Sequence, residues 1–253
     1  MSGPASSKPS SMRAVFVTDV GRKRSQNQDN GLADARSGLC LVADGMGGHR
    51  GGETASRIVV ETVSELFSGA SGGLSQRLEH CLIEAHNRIY SLSESNESLR
   101  GMGTTTTLLG VEINKDSARA EVIHVGDSRC YLIQPGAIWQ ITRDHSLVQE
   151  KVRAGLITRA QVKLDVMRNV ITRSVGFEPS IQVDRYSLKV QTGDLFLLCS
   201  DGLTGQLEDS EIIAVTEKHR PKADWEACAK ELIRLANAHG GDDNISVGLL
   251  EII

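Results

Sequence analysis

Aspartate recurs in this 253-residue chain where short apolar runs begin or end, and that placement constrains the fold most. Leu39-Cys40-Leu41-Val42-Ala43 runs into Asp44-Gly45, and Val122-Ile123-His124-Val125-Gly126 runs into Asp127-Ser128. Leu195-Phe196-Leu197-Leu198-Cys199-Ser200 ends in Asp201-Gly202, and Asp242-Asp243-Asn244 opens the last run, from Ile245 to Ile253. Runs of this length and composition, bounded by Gly and Asp, read as buried strands. A carboxylate at the mouth of a buried strand is costly unless something compensates it. Several that converge cannot all stay ionised. Hard divalent cations such as Mg²⁺ and Mn²⁺ prefer oxygen ligands and solve the problem. The pattern points to a carboxylate metal centre with Asp44, Asp201 and Asp243 at its heart.

The length allows one large domain with a sizeable core. With 28 basic against 32 acidic side chains the net charge is −4, and aromatics make up 4%. Neither the charge nor the aromatic content argues for a nucleic-acid partner. The five cysteines are odd in number and widely spaced, which reads as buried reduced thiols in a cytoplasmic protein. No stretch approaches a membrane span, and residues 1–11 read as a disordered tail rather than a signal peptide.

Periodicity predicts strands over Arg13 to Thr18, Gly38 to Ala43, Thr104 to Asn114, Arg119 to Val125, Cys130 to Gln134, Ile138 to Thr142, Val183 to Leu188 and Asp194 to Cys199. Pro135-Gly136 marks a hairpin turn, so the sheet is antiparallel. Helices are predicted over Gly52 to Phe67, Leu74 to Ser93, Glu208 to Lys218 and Ala223 to Ala238. Shorter ones are predicted over Ser146 to Ala154 and Thr158 to Val162. The order favours an α+β layered domain, 12–253, with a polar, irregular excursion from about Asp144 to Gly176.

Two divalent ions held by shared carboxylates suit in-line hydrolysis of a phosphate ester. Gly45 lets a backbone carbonyl approach a cation closely. Arg24, just after the first strand, offers a guanidinium fork for phosphate. Each residue alone has a plainer reading: Asp-Gly as a turn, Asp127 paired to Arg129, Arg24 in a solvated basic loop. The spacing Cys228 to Arg234 matches cysteine phosphatases, but it falls on an amphipathic helix that places Cys228 in the core.

Eight motifs in order resemble the metal-dependent serine/threonine protein phosphatases of type 2C (the PPM family), in their compact bacterial form. They are Thr18-Asp19-Val20-Gly21 through Arg24 to Asn27-Gln28-Asp29; Val42-Ala43-Asp44-Gly45-Met46-Gly47-Gly48-His49; Gly101-Met102-Gly103-Thr104-Thr105; His124-Val125-Gly126-Asp127-Ser128-Arg129; Thr142-Arg143-Asp144-His145-Ser146; Arg168-Asn169-Val170-Ile171-Thr172-Arg173; Ser200-Asp201-Gly202-Leu203; and Gly241-Asp242-Asp243-Asn244-Ile245-Ser246.

The resemblance implies a four-layer α-β-β-α sandwich, two central antiparallel sheets flanked by helix pairs. It implies that Asp44 bridges two Mn²⁺ or Mg²⁺ ions, with Asp201 and Asp243 completing one site and the Gly45 carbonyl serving the other. Asp29 would act through bound water, Asp127 with Asp201 would take a third, weaker ion, and Arg24 would hold the substrate phosphate. The reaction implied is attack on phosphoserine or phosphothreonine in proteins by a metal-bridging hydroxide, in a monomer that opposes a eukaryotic-like Ser/Thr kinase. The stretch 145–176 would be a flap beside the cleft that influences substrate choice. Three departures stand out: Gln28 where Glu is usual, Met46 where animal enzymes carry His, and Asp165-Val166 in place of His-Pro. Gln28 leaves one alternative, a catalytically weak pseudophosphatase or phosphoprotein-binding module.

Overall fold

The structure is a computed structural model that describes residues 9–114 and 117–253. The chain runs β1 (Met12–Asp19), β2 (Asp29–Asp34), β3 (Leu39–Met46), α1 (Gly48–Leu66), α2 (Leu74–Ser95), β4 (Gly103–Thr104), β5 (Thr106–Ile113), β6 (Ala118–Val125), β7 (Arg129–Gln134) and β8 (Ala137–Gln140). It continues through α3 (Leu147–Arg153), β9 (Asp184–Lys189), β10 (Leu195–Cys199), α4 (Asp201–Thr204), α5 (Asp209–His219), α6 (Trp225–His239) and β11 (Ile245–Ile252). One sheet has the order β1-β11-β10-β7-β8 and the other β2-β3-β5-β6-β9, with β4 pairing β3. Every strand pairing is antiparallel.

Strand side chains alternate between faces, so each strand feeds two cores. In β3, Leu39, Leu41 and Ala43 pack under α1 and α2, while Cys40 and Val42 face the other sheet. In β10, Leu195, Leu197 and Cys199 pack under α5 and α6, while Phe196 and Leu198 face inward. The helices match: Ala55, Val59 and Val63 line one stripe of α1, and Trp225, Cys228, Ala229, Leu232, Ile233 and Ala236 one stripe of α6. Three apolar interfaces therefore separate four layers, the expected α-β-β-α sandwich. Phe196 is fully buried between the sheets, and truncating it to Ala costs on the order of 3–5 kcal/mol. All five cysteines are buried and free.

Several elements depart from the sequence reading. β2 has a composition (Asp-Asn-Gly-Leu-Ala-Asp) without β-branched residues, so propensity gave no signal; pairing to β3 makes it a strand. The single strand expected from Thr104 to Asn114 is broken at Thr105, whose hydroxyl accepts the Asp44 N–H at 3.1 Å. The hairpin strand expected to reach Thr142 ends at Gln140, and a short helix, α4, begins at Asp201. Most of the expected tail, residues 1–8, lies outside the described residues. Ser10 and Ser11 already pair with the carbonyl of Ile253. Among the described residues, no helix is long and apolar enough to cross a membrane.

The registers put all the singled-out aspartates at one end of the sandwich. Asp29 pairs with Asp44, Thr106 with Val125, Asp19 with Ile245 and Cys199 with Val247. The starts of β2 and β11 thus lie beside the ends of β3, β6 and β10.

Candidate metal centre and active site

Asp44 projects from the end of β3, Asp201 opens α4, and Asp243 precedes β11. These three line one cleft of about 460 Å³ with Arg24, Gln28, Gly45, Met46, Asn169 and Asn244. A second cleft of about 370 Å³ adjoins it; Asp127, Asp144, Arg129 and Arg168 line it, and it shares Asp201, Asp243 and Asn169 with the first. Asp29 sits buried behind the first cleft, where the Ser200 and Ser246 hydroxyls both donate to its Oδ2, at 2.8 and 2.7 Å. Two glycines make the approach possible. A Cβ on Gly45 would collide with the Gly52 carbonyl, and one on Gly202 with the Asn244 carbonyl.

The electrostatics are those of too many carboxylates and too few partners. Burial, reinforced by the neighbouring Asp29, Asp201, Asp127 and Asp243, pushes the Asp44 carboxyl well above the usual range. Burial also raises Asp29 to about 7, against the opposing bonds from Ser246 and Ser200, and raises Asp127 to about 8. Asp201 is raised too, by burial first and then by Asp243. Asp29 Oδ1, Asp127 Oδ1 and Asp201 Oδ1 are buried without a hydrogen-bond partner. Orphaned acceptors on clustered acids fit hard divalent cations.

Among the described residues, no three acidic, His or Cys side chains already close on one point as a finished ligand shell. Mutual repulsion keeps bare carboxylates apart, and Arg24 draws Asp243 towards itself with an N–O distance of 2.7 Å. That same bond holds the Arg24 guanidinium above its ordinary pKa.

Asp127 does not pair with Arg129. Arg129 instead grips Asp144, through Nε at 3.0 and 3.1 Å and through a terminal nitrogen at 2.7 Å. This leaves Asp127 free to face the cleft. His145 serves structure: its Nδ1 accepts the Gly126 N–H at 3.1 Å, beside Asp127. Gln28 and Met46 both line the first cleft. At the third departure, Lys151 bonds both Asp165 oxygens, at 3.1 and 2.8 Å, and fixes a turn that leaves Val166 95% exposed.

The supporting residues were harder to read from sequence. Thr104 donates its hydroxyl to the Asp44 carbonyl at 2.8 Å, and Thr105 bonds Ser128 at 2.7 Å. Asn244 reaches across to the Arg24 loop. Their one signal is position: each is a small polar residue within a few places of a singled-out aspartate, or paired across a strand from one.

The sequence model of the protein phosphatase 2C family matches residues 21–245. The serine/threonine phosphatase stp of Listeria monocytogenes is 36% identical over 248 residues, which cover 95% of this chain and 96% of that one. The crystal structure of the Mycobacterium tuberculosis serine/threonine phosphatase PstP/Ppp superposes with a TM-score of 0.86 at 32% identity, covering 96% of this chain and 99% of that one. A structure of the PstP catalytic domain in complex with two manganese ions gives a TM-score of 0.83 at 32% identity over 96% of this chain and 99% of that one. The chain belongs to the protein phosphatase 2C family, and it is a phosphoprotein phosphatase.

Proposed function

We propose that the chain hydrolyses phosphoserine and phosphothreonine in proteins with Mn²⁺ or Mg²⁺ bound at the cleft. The observation that carries this reading is the convergence of Asp29, Asp44, Asp127, Asp201 and Asp243, with unpartnered buried oxygens, beside the guanidinium of Arg24. Asp44 would be shared between two ions, Asp201 and Asp243 would complete one ligand set and the Gly45 carbonyl would join the other. Asp127 with Asp201 would take a third, weaker ion. When bound, such ions supply Lewis acidity and a water of lowered pKa.

The protein's own part is positional. Arg24 leaves Asp243 and grips the phosphate oxygens, and its fixed charge stabilises the charge that builds on them. Asp29, held by two hydroxyl donors on one oxygen, keeps its other oxygen without a hydrogen-bond partner and would act through ordered water. Residues 12–253 act as one catalytic domain, and 145–176 serve as a flap over the second cleft. The substrates are phosphoproteins opposite a Ser/Thr kinase, and the enzyme works as a monomer in the cytoplasm, where its five thiols stay reduced.

The test is turnover of a phosphoserine peptide with Mn²⁺ and with chelator. Mn²⁺-dependent release of phosphate supports the reading. Release that survives chelation, or in the Asp44→Asn variant, refutes it.

A further inference from the structure

The loop from Val20 to Gln28, which carries Arg24, links β1 to β2 and belongs to no regular element. A loop of this length has many conformations, and a substrate-binding side chain on it needs something to fix it. Several of its backbone polar groups bond to the segment that precedes β11. Arg22 and Lys23 donate their N–H groups to the Gly241 carbonyl at 2.7 and 3.3 Å.

Asn244 does the rest. Its Nδ2 donates to the carbonyls of Val20 and Gln26, both at 2.9 Å, and its Oδ1 accepts the Gln28 N–H at 2.8 Å. One amide therefore ties the loop's beginning to its end. Asn244 is 5% exposed, and its own N–H donates to Asp243 Oδ1 at 2.9 Å. The carboxamide uses both donor hydrogens and its acceptor on this single loop, a match that no carboxylate or hydroxyl can reproduce.

We infer that Asn244 is the positioning residue for Arg24: it sets the guanidinium's place relative to the carboxylate cluster, and through it the substrate phosphate's. The inference rests on the reading that Arg24 binds phosphate. Asn244 touches neither the phosphate nor, through its side chain, any of the candidate metal-binding groups, so its loss should show in phosphate binding rather than in metal binding.

The experiment is a double-mutant cycle on the full chain. Inorganic phosphate is titrated calorimetrically into the Mn²⁺-loaded protein for the parent, Asn244→Ala, Arg24→Ala and the double variant. Asn244→Ala is expected to weaken phosphate binding about 10-fold, as a misplaced positioning group does, and to raise KM for a phosphoserine peptide in parallel. The Mn²⁺ dissociation constant should stay within about twofold, and in the Arg24→Ala background the Asn244 substitution should have no further effect on phosphate. Full additivity of the two penalties, or equal weakening of Mn²⁺ and phosphate, overturns the assignment. If Arg24→Ala alone leaves phosphate binding unchanged, the reading of Arg24 fails first, and that outcome is distinct from additivity. Should Asn244→Ala not fold, Asn244→Ser, which keeps a small polar group and loses the three-way bridge, carries the same cycle.

Discussion

Two buried polar clusters lie side by side at one end of the sandwich, and they are built on opposite terms. In one, Arg129 grips Asp144 and also donates to the Tyr131 hydroxyl at 3.0 Å, while Gln140 bonds Asp144 at 2.8 Å. Burial alone would lower the Arg129 pKa, but Asp144 reverses that and holds it well above the ordinary value. His124 and His145 lie nearby, their rings tilted by 42° with centroids 4.9 Å apart, and His124 bonds Thr107 and the Arg143 carbonyl. The Arg129 and Asp144 charges there answer each other. In the neighbouring cleft, Asp29, Asp44, Asp127 and Asp201 have one another, a few hydroxyls and unpartnered oxygens. Satisfied charges make a support; unsatisfied ones make a site that must take its positive charge from outside.

The largest expected effect tests the unsatisfied side. Asp44→Asn or Asp201→Asn should cut Mn²⁺-dependent hydrolysis by about 10³-fold or more, roughly 4 kcal/mol of barrier. In chelator the same variants should melt above the parent, because the neutral amide removes the cost of burying and protonating one acid of the cluster. Activity within tenfold of the parent, or a lower metal-free melting temperature, breaks the contrast.

On the satisfied side, Arg129→Met strands Asp144 in the interior and should cost about 3–5 kcal/mol by urea unfolding. A cost under about 1 kcal/mol would mean that the pair is no support at all.

Metal binding comes next. Mn²⁺ at 100 times its Kd should stabilise the fold by about 2.7 kcal/mol. At a fixed Mn²⁺ concentration the size of that shift should follow pH. Asp29 and Asp127, with folded values of about 7 and about 8 against an ordinary 3.8, hold protons in the metal-free fold that the unfolded chain has already lost. Their contribution is full below the ordinary value and is lost as pH rises through 7 to 8. The Mn²⁺-induced rise in melting temperature should therefore grow from pH 6 to pH 8.5, and a flat profile would count against the carboxylate cluster.

The smallest effect has the opposite sign. Burial, with His145 adding to it, lowers His124 to about 4 from an ordinary 6.5. Between those values the unfolded chain binds a proton that the fold refuses, so stability falls as pH drops, by at most about 1.4 kcal/mol per unit. The stability difference between His124→Gln and the parent should change between pH 7 and pH 5, and a constant difference would show that His124 does not titrate on unfolding.

The sequence by itself determined the layers, because a period of two in Leu39 to Ala43 or Leu195 to Cys199 and a four-residue stripe in Ala55, Val59 and Val63 are local facts that leave each face little choice of partner. It also marked Asp44, Asp201 and Asp243, since an acid at the edge of an apolar run is conspicuous wherever the run goes. β2 was not legible, because Asp29 to Asp34 carries no strand signal until β3 supplies hydrogen bonds. Nor was the division of labour among the acids and hydroxyls: that Asp127 stays unpaired because Asp144 takes Arg129, that Ser200 and Ser246 share one oxygen of Asp29, and that Asn244 closes the Arg24 loop. Those partners stand 15 to 224 residues apart along the chain. Which donor reaches which acceptor depends on strand register and on packing around the cleft, and only the folded chain sets those distances.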